Sequence, residues 1–110
     1  MRLRALSVRS SVVQRIAAHD LNITAQVLPL PDDQQFDLMV GTNVFLYYDR
    51  LPQALAMASV ARMLRPGGLL LSNNALVEAP STGMQSIGYS KTIYSNRDED
   101  GDLIISYQKR

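Results

Sequence analysis

Apolar residues recur along this chain with two spacings, one typical of an amphipathic helix and one typical of buried strands. After Asp49, a suitable N-cap, the apolar positions of residues 51–64 follow the helical period, and Pro52 falls in the first turn. Short apolar runs lie on either side of this helix, at residues 36–40 and 69–71. The order strand, helix, strand predicts a right-handed parallel crossover, which places both strands in one sheet.

The predicted helix is expected to end within the four residues Arg65, Pro66, Gly67 and Gly68. Either glycine can adopt the left-handed conformation that closes many helices. Residues 69–71, which follow, are three leucines without alternation, as expected of a strand buried on both faces. We therefore expect helices on both sides of the sheet.

Weaker patterns occupy the first third of the chain. Ser10 or Ser11 can cap a short helix that runs to about Ala18. Apolar residues alternate with polar ones over residues 22–27, which predicts a half-buried strand. The prolines and polar residues of 28–35 indicate a turn region before the strand at residues 36–40.

The last third of the chain predicts a loop and a hairpin. Residues 73–88 contain a cluster of turn formers and are predicted to be a loop. Residues 89–95 and 103–108 are predicted strands, joined by the exposed turn NRDEDGD. The fold class is therefore α/β, with parallel strands followed by a C-terminal antiparallel hairpin. In open parallel sheets, ligands bind at the carboxyl ends of the strands.

Composition and charge exclude several kinds of site. With no cysteine and one histidine, the chain contains neither a thiolate nor a multi-histidine metal site. The acids of residues 98–102 lack the spacing of a calcium loop, so no metal site is predicted. A net charge of +1 and scattered basic residues argue against nucleic acid as the main partner. No apolar run approaches the roughly 18 residues of a membrane helix, and a cytoplasmic location fits best.

The stretch FDLMVGTNVFLYYD places polar groups where the first predicted strand ends. Gly41, Thr42 and Asn43 bring a small residue, a hydroxyl and an amide to the edge at which a ligand is expected. We expect Gly41 to let the ligand approach the backbone closely.

Three motifs in this order resemble the second half of the class I S-adenosylmethionine-dependent methyltransferases. They are FD in the first strand, NV followed after two residues by YYD, and LRPGG after the helix. Within that superfamily, residues 20–110 show local similarity to the chemotaxis receptor methyltransferase, which modifies protein glutamate. The resemblance implies a partial Rossmann-like sheet, S-adenosylmethionine as cofactor, and a small molecule or a protein side chain as methyl acceptor.

The same resemblance implies roles for five residues. Asn22 and Ile23 would flank the adenine, and Thr42 and Asn43 would lie against the methionine and ribose side of the cofactor, mainly through backbone groups. Tyr47 would orient the acceptor with its hydroxyl. Two structural alternatives stay open, since asparagine often caps a turn, and of two adjacent tyrosines one ring is often packed and the other on the surface.

The chain also departs from the family pattern. No G-x-G motif precedes Gly41, and no acid ends residues 3–8, so the first strand and the glycine-rich turn of the family are missing. The resemblance therefore implies that residues 1–110 are a single, truncated methyltransferase-like domain. Thr42 stands where the receptor enzymes carry arginine, which argues against receptor glutamate as the substrate.

A second hypothesis belongs to a different functional class. Without its central strand, the chain would be a catalytically silent α/β module that leaves strands such as residues 69–71 open. Such a module would pair through this open sheet edge with another chain or with a copy of itself.

Overall fold

One mixed sheet contains the four strands of the described residues. The computed structural model describes residues 5–78, 80–93 and 101–110. The strands are β1 (Phe36–Gly41), β2 (Leu64–Ser72), β3 (Met84–Ile93) and β4 (Gly101–Lys109). Across the sheet their order is β1, β2, β4, β3; β1 is parallel to β2, and β4 is antiparallel to both β2 and β3. The predicted parallel strands with a C-terminal antiparallel hairpin are confirmed.

The hairpin begins earlier than predicted. β3 starts at Met84 and pairs with β4 from there, so the second part of the predicted loop is strand. A shift of register between Ser86 and Gly88 marks a bulge in this ladder. The first five residues of the predicted turn, 96–100, lie outside the described residues.

One long helix covers one face of the sheet. The described α-helices are α1 (Ser10–Val13) and α2 (Arg50–Met63). α2 confirms the predicted helix, with Asp49 at its N-cap and Pro52 in its first turn, although the Asp49 side chain makes no capping hydrogen bond. Its buried face differs from the apolar spacing that predicted it, because Leu51 and Leu55 are exposed. No described helix is long and apolar enough to cross a membrane. The buried apolar cluster between α2 and the sheet consists of Phe45, Ala56, Met57, Val60, Ala61, Leu64, Leu70, Leu76, Met84 and Tyr107.

The predicted helix from residue 10 to residue 18 is a single turn. Its N-cap is Arg9 and not a serine, and none of the residues of α1 is buried. Val12, Val13 and Ile16, the apolar side of the predicted helix, are exposed. A helix this short is unstable without tertiary packing, and among the described residues α1 has no buried side chain that would extend it.

A turn replaces the strand predicted over residues 22–27. Asn22 Oδ1 accepts hydrogen bonds from the N–H of Thr24 (3.2 Å) and from its hydroxyl (2.7 Å). The Asn22 carbonyl also accepts the N–H of Gln26 at 2.8 Å. These local bonds give the backbone an alternative to strand pairing, and here they override the alternating pattern.

The glycines after α2 do not cap the helix. α2 ends at Met63 and β2 begins with the next residue. The pairing of β2 with β1 shifts at residues 65–68, which form a bulge. Gly67 has a φ of +80°, and a Cβ on Gly68 would lie 2.9 Å from the carbonyl oxygen of Arg65. The expected capping role is therefore wrong, and the two glycines instead allow β2 to bulge beside β1.

The second face of the sheet is less buried than the sequence indicated. Leu70 is fully buried on the α2 side, whereas Leu69 and Leu71 are half-buried. α1 buries no residue, so it is not the second covering helix that was expected. Residues 69–71 are not an open edge, because they lie in the interior strand β2. The edge strands are β1 and β3, and Leu38 and Val40 of β1 are 52% and 63% exposed.

Candidate functional site

Two asparagines join the carboxyl ends of the parallel strands. Asn43, two residues after β1, donates its backbone N–H to Oδ1 of Asn73 at 2.9 Å. Asn73, immediately after β2, donates from Nδ2 to Oδ1 of Asn43 at 2.8 Å. The structure thus places Asn43 at the predicted edge. Sequence reasoning did not single out Asn73, and the only signal for it was its position directly after the second strand.

The conformation of Asn43 decides which of its groups a ligand can reach. Asn43 has a φ of +58°, a left-handed conformation that asparagine adopts more readily than most residues. Its backbone N–H is committed to Asn73, while Oδ1 retains a second lone pair. The neighbouring Thr42 is exposed. The Thr42 hydroxyl and the Asn43 carbonyl groups are therefore open to a ligand, and the Asn43 N–H is not.

Gly41 leaves room for a neighbouring aromatic ring. A Cβ at this position would lie 2.5 Å from Cε2 of Phe45. The Phe45 ring is buried in the core beneath the loop that follows β1. The close neighbour of Gly41 is thus a ring of the protein itself, and the role expected for this glycine in ligand approach stays a prediction.

The loop after β2 contains an unpaired acceptor. The buried Ser72 hydroxyl exchanges hydrogen bonds with the backbone of Asn74, accepting from its N–H and donating to its carbonyl oxygen, both at 3.2 Å. These bonds turn the chain sharply at the strand end. Oδ1 of Asn74 is buried, and no donor of the described residues reaches it. An acceptor in this state is costly unless a further group binds there.

Gln53 of α2 connects the loops that follow the two parallel strands. Its Nε2 donates to the carbonyl oxygen of Phe45 at 3.4 Å, and its Oε1 accepts the N–H of Val77 at 2.7 Å. One side chain therefore holds both loops against the same helix. Sequence reasoning missed Gln53 because its partners are 8 and 24 residues away along the chain.

The two adjacent tyrosines have different environments. Tyr47, in the 3₁₀ turn Phe45–Tyr47, is 77% exposed. Tyr48 is half-buried and packs against the core cluster. This is the arrangement of one packed and one surface ring that the sequence left open, and it leaves the Tyr47 hydroxyl accessible.

The residues expected at the adenine are placed in a separate turn. Asn22 is exposed and caps this turn, so its Oδ1 is engaged with Thr24 while its Nδ2 donors remain available. Ile23 is half-buried and packs against the core cluster. The described hydrogen bonds connect Asn43 to Asn73 but do not connect Asn22 to either.

Tyr107 of β4 binds the loop after β2 through its buried hydroxyl. It is 2% exposed, and its hydroxyl oxygen accepts the N–H of Leu76 at 2.7 Å. Burial raises the pKa of Tyr107 above its ordinary value; the hydrogen bond from Leu76 lowers it, and the Glu78 carboxylate raises it further. Tyr107 therefore stays a neutral phenol that fixes the loop, and it does not act as a base.

No group of three or more metal-binding side chains occurs in the part of the chain that the structure describes. Of the acidic cluster considered in the sequence, Asp98, Glu99 and Asp100 lie outside that part, and Asp102 is in β4.

A family model described as a methyltransferase domain matches residues 4–72 of the sequence. The matched region includes β1, α2, β2 and the Asn43 turn. No curated protein matches the sequence significantly.

Two solved structures share the fold. The N-methyltransferase NodS from Bradyrhizobium japonicum WM9, crystallised with S-adenosyl-L-homocysteine, is 17% identical, with 81% of this chain and 52% of that chain covered and a TM-score of 0.56. The [4+2]-cyclase SpnF is 13% identical, with coverages of 90% and 57% and a TM-score of 0.59. The chain therefore spans a little more than half the length of these proteins. Identities this low show the fold alone.

Proposed function

Because the chain belongs to the methyltransferase domain family, we propose that it is the C-terminal part of an S-adenosylmethionine-dependent methyltransferase. The observation that carries the proposal is the Asn43–Asn73 amide pair, which joins the carboxyl ends of β1 and β2. Family membership favours this function over a catalytically silent interaction module.

The groups at the two strand ends fit such a cofactor. The residues there are uncharged: Gly41, Thr42, Asn43, Ser72, Asn73 and Asn74. S-adenosylmethionine carries a sulfonium and an ammonium group, which are attracted to oxygen acceptors and repelled by cations. The open lone pair of Oδ1 on Asn43, an exposed residue, is an acceptor of this kind.

We assign the remaining contacts from the resemblance to the family. Thr42 and Asn43 contact the methionine and ribose side of the cofactor, and Asn22 and Ile23 flank the adenine. Tyr47 orients the acceptor with its exposed hydroxyl. We infer that Asn43 contacts the cofactor through its carbonyl groups, since its N–H already donates to Asn73.

When bound, S-adenosylmethionine supplies an electrophilic methyl group on a sulfonium. The residues of this chain contribute position and exclusion of water, which suffice when the acceptor is already nucleophilic. Asn43 and Asn73 hold the two strand ends at a fixed separation, and Gln53 holds the loops that follow them. Proton transfer by a strong base is not required of these residues.

The methyl acceptor is a small molecule or a protein side chain, and the segment of residues 73–88 shapes its pocket. The local similarity to the chemotaxis receptor methyltransferase stays a prediction. Thr42 replaces the arginine of those enzymes, which argues against receptor glutamate. A cyclase, SpnF, shares this fold, so the fold by itself does not specify the acceptor.

Titration calorimetry of S-adenosylhomocysteine into the 110-residue chain tests the cofactor site. We expect micromolar binding that weakens about tenfold in Asn43→Gly, because glycine keeps the positive φ but removes the amide. Thr92→Ala on β3, away from the two strand ends, is the matched control and should bind like the parent chain.

Two results would contradict the proposal. One is a folded parent chain, verified by circular dichroism, that does not bind S-adenosylhomocysteine. The other is an Asn43→Gly variant with unchanged affinity, which would place the ligand away from the ends of β1 and β2.

A further inference from the structure

A second concave site lies on the α2 side of the hairpin, beside the loop that follows β2. Its volume is about 290 Å³, close to the lower end of the range for small-molecule pockets. Its apolar walls come from the loop and from both hairpin strands, and they consist of Ala75, Leu76, Tyr89, Leu103 and Ile105. Ser86, Glu78 and the phenol of Tyr107 complete the lining.

Glu78 is the single formally charged residue among those that line this pocket. Its Oε1 accepts the backbone N–H of Ser86 at 2.6 Å, which ties the carboxylate to the start of β3. The hydrogen bond occupies one oxygen and leaves the other with acceptor capacity. The site thus combines a fixed negative charge with apolar walls.

An aromatic ring stands beside this charge. Tyr89 is 76% exposed although it lies in the hairpin ladder opposite Ile105. An exposed tyrosine face attracts organic cations, and a carboxylate close by adds to that attraction. On the pocket floor, the Tyr107 oxygen already accepts the N–H of Leu76 and presents no positive charge. The carboxylate and the aromatic ring both favour a cation over an anion.

We propose that this pocket binds a small organic monocation with an apolar body, its ammonium group at Glu78 and Tyr89 and its body against Leu76, Leu103 and Ile105. The inference deepens the proposed function and rests on it, because Ala75, Leu76, Glu78 and Ser86 belong to residues 73–88, the segment proposed to shape the acceptor pocket. Amine binding and S-adenosylhomocysteine binding are measured in separate titrations. A failure of the cation pocket can therefore be distinguished from a failure of the cofactor site.

Calorimetry with 2-phenylethylamine on the full chain tests the inference. The probe joins an ammonium group to one ring; 3-phenylpropionate has a similar body with a negative charge. We expect the amine to bind and the anion to bind at least about tenfold more weakly, because the Glu78 carboxylate attracts the ammonium group and repels a second carboxylate. In Glu78→Gln the amine should lose about tenfold in affinity, because glutamine still accepts the Ser86 N–H but carries no charge.

Two further variants separate the site from general effects. Tyr89→Leu keeps an apolar side chain and should weaken the amine several-fold by removing the aromatic face. Asp32→Asn removes one negative charge in the 3₁₀ turn Asp32–Gln34, remote in sequence from the pocket lining, and should leave the affinity unchanged.

Three results in the absence of S-adenosylhomocysteine would overturn the proposal. They are equal affinity for the amine and the anion, an undiminished affinity in Glu78→Gln, and an absence of amine binding to the folded chain. Competition between the amine and S-adenosylhomocysteine would also overturn it, because the probe would then occupy the cofactor site.

Discussion

At the carboxyl end of β1, single side chains decide the shape of the candidate site. Gly41 leaves room for the Phe45 ring, which is buried below the loop. Asn43 then turns the chain with a positive φ and directs its amide to Asn73. The two requirements differ, since Gly41 is needed for space and Asn43 for its conformation and its hydrogen bonds.

Replacing Gly41 by alanine tests the packing role. The added methyl group would collide with the Phe45 ring, and we expect Gly41→Ala to destabilise the chain by about 1–3 kcal/mol, the usual cost of overpacking. Urea unfolding provides the measurement. In Phe45→Leu, where the far edge of the ring is absent, the same substitution should cost measurably less.

This double-mutant cycle has a clear negative result. If Gly41→Ala costs as much in the Phe45→Leu background as it does beside the phenylalanine, the ring is not the reason for the glycine. A role in ligand approach would then regain support, provided that the substitution also weakened S-adenosylhomocysteine binding.

Among the elements, α2 fixes the geometry of the loops after β1 and β2. It packs its apolar side on the sheet and also supplies Gln53, whose amide bonds to both loops. The loop after β2 is held a second time by the hydroxyl of Tyr107 in β4. The site therefore depends on side chains from elements that contribute no proposed ligand contact.

Removal of the Gln53 amide should loosen both loops at once. In Gln53→Leu the part-buried N–H of Val77 loses its acceptor, and we expect a loss of about 1–3 kcal/mol in the free energy of unfolding. Hydrogen exchange should show faster exchange of the Val77 amide. Gln14→Leu, exposed after α1, is the matched control. A Gln53→Leu variant that resembles this control in stability and in Val77 exchange would show that the connection is dispensable.

Considered as a whole, the described sheet is covered on one face by α2 and has β1 and β3 as its edge strands. α2 and the core cluster lie on one face, whereas Leu38 and Val40 of the edge strand β1 are more than half exposed. An apolar edge strand with unpaired backbone groups is a template for pairing with another strand. An exposed edge at β1 is compatible with the proposed function, and it predicts how the isolated chain associates in solution.

We expect the purified 110-residue chain to self-associate through β1. Val40→Lys places a charge on this strand and should shift the population toward monomer, because charged edge residues oppose strand pairing. Sedimentation velocity over a range of concentrations measures the shift. Thr92→Lys on β3, the strand at the opposite edge, is the matched control. A parent chain that is monomeric throughout, or a Val40→Lys variant that associates as strongly, would exclude this edge as the contact.

The sequence by itself determined the helix and the strands that a local pattern of apolar residues marks. The helical period and capping residues of 49–64 predicted α2, and two apolar runs predicted β1 and the end of β2. The order of FD, NV with YYD, and LRPGG indicated the methyltransferase family, which the match over residues 4–72 shows. These features are visible in the sequence because an apolar run or a helical spacing extends over several neighbouring residues.

Only the tertiary structure decided the features that depend on distant partners. The pairing of Asn43 with Asn73 spans 30 residues, and the reason for Gly41 lies in the position of the Phe45 ring. Gly67 and Gly68 looked like a helix end but belong to a bulge that exists only because β2 lies beside β1. The alternation at residues 22–27 yielded to local bonds of Asn22 because no described neighbouring strand pairs with that segment. A single hydrogen bond or ring contact leaves no periodic trace in a sequence, so three-dimensional packing alone reveals it.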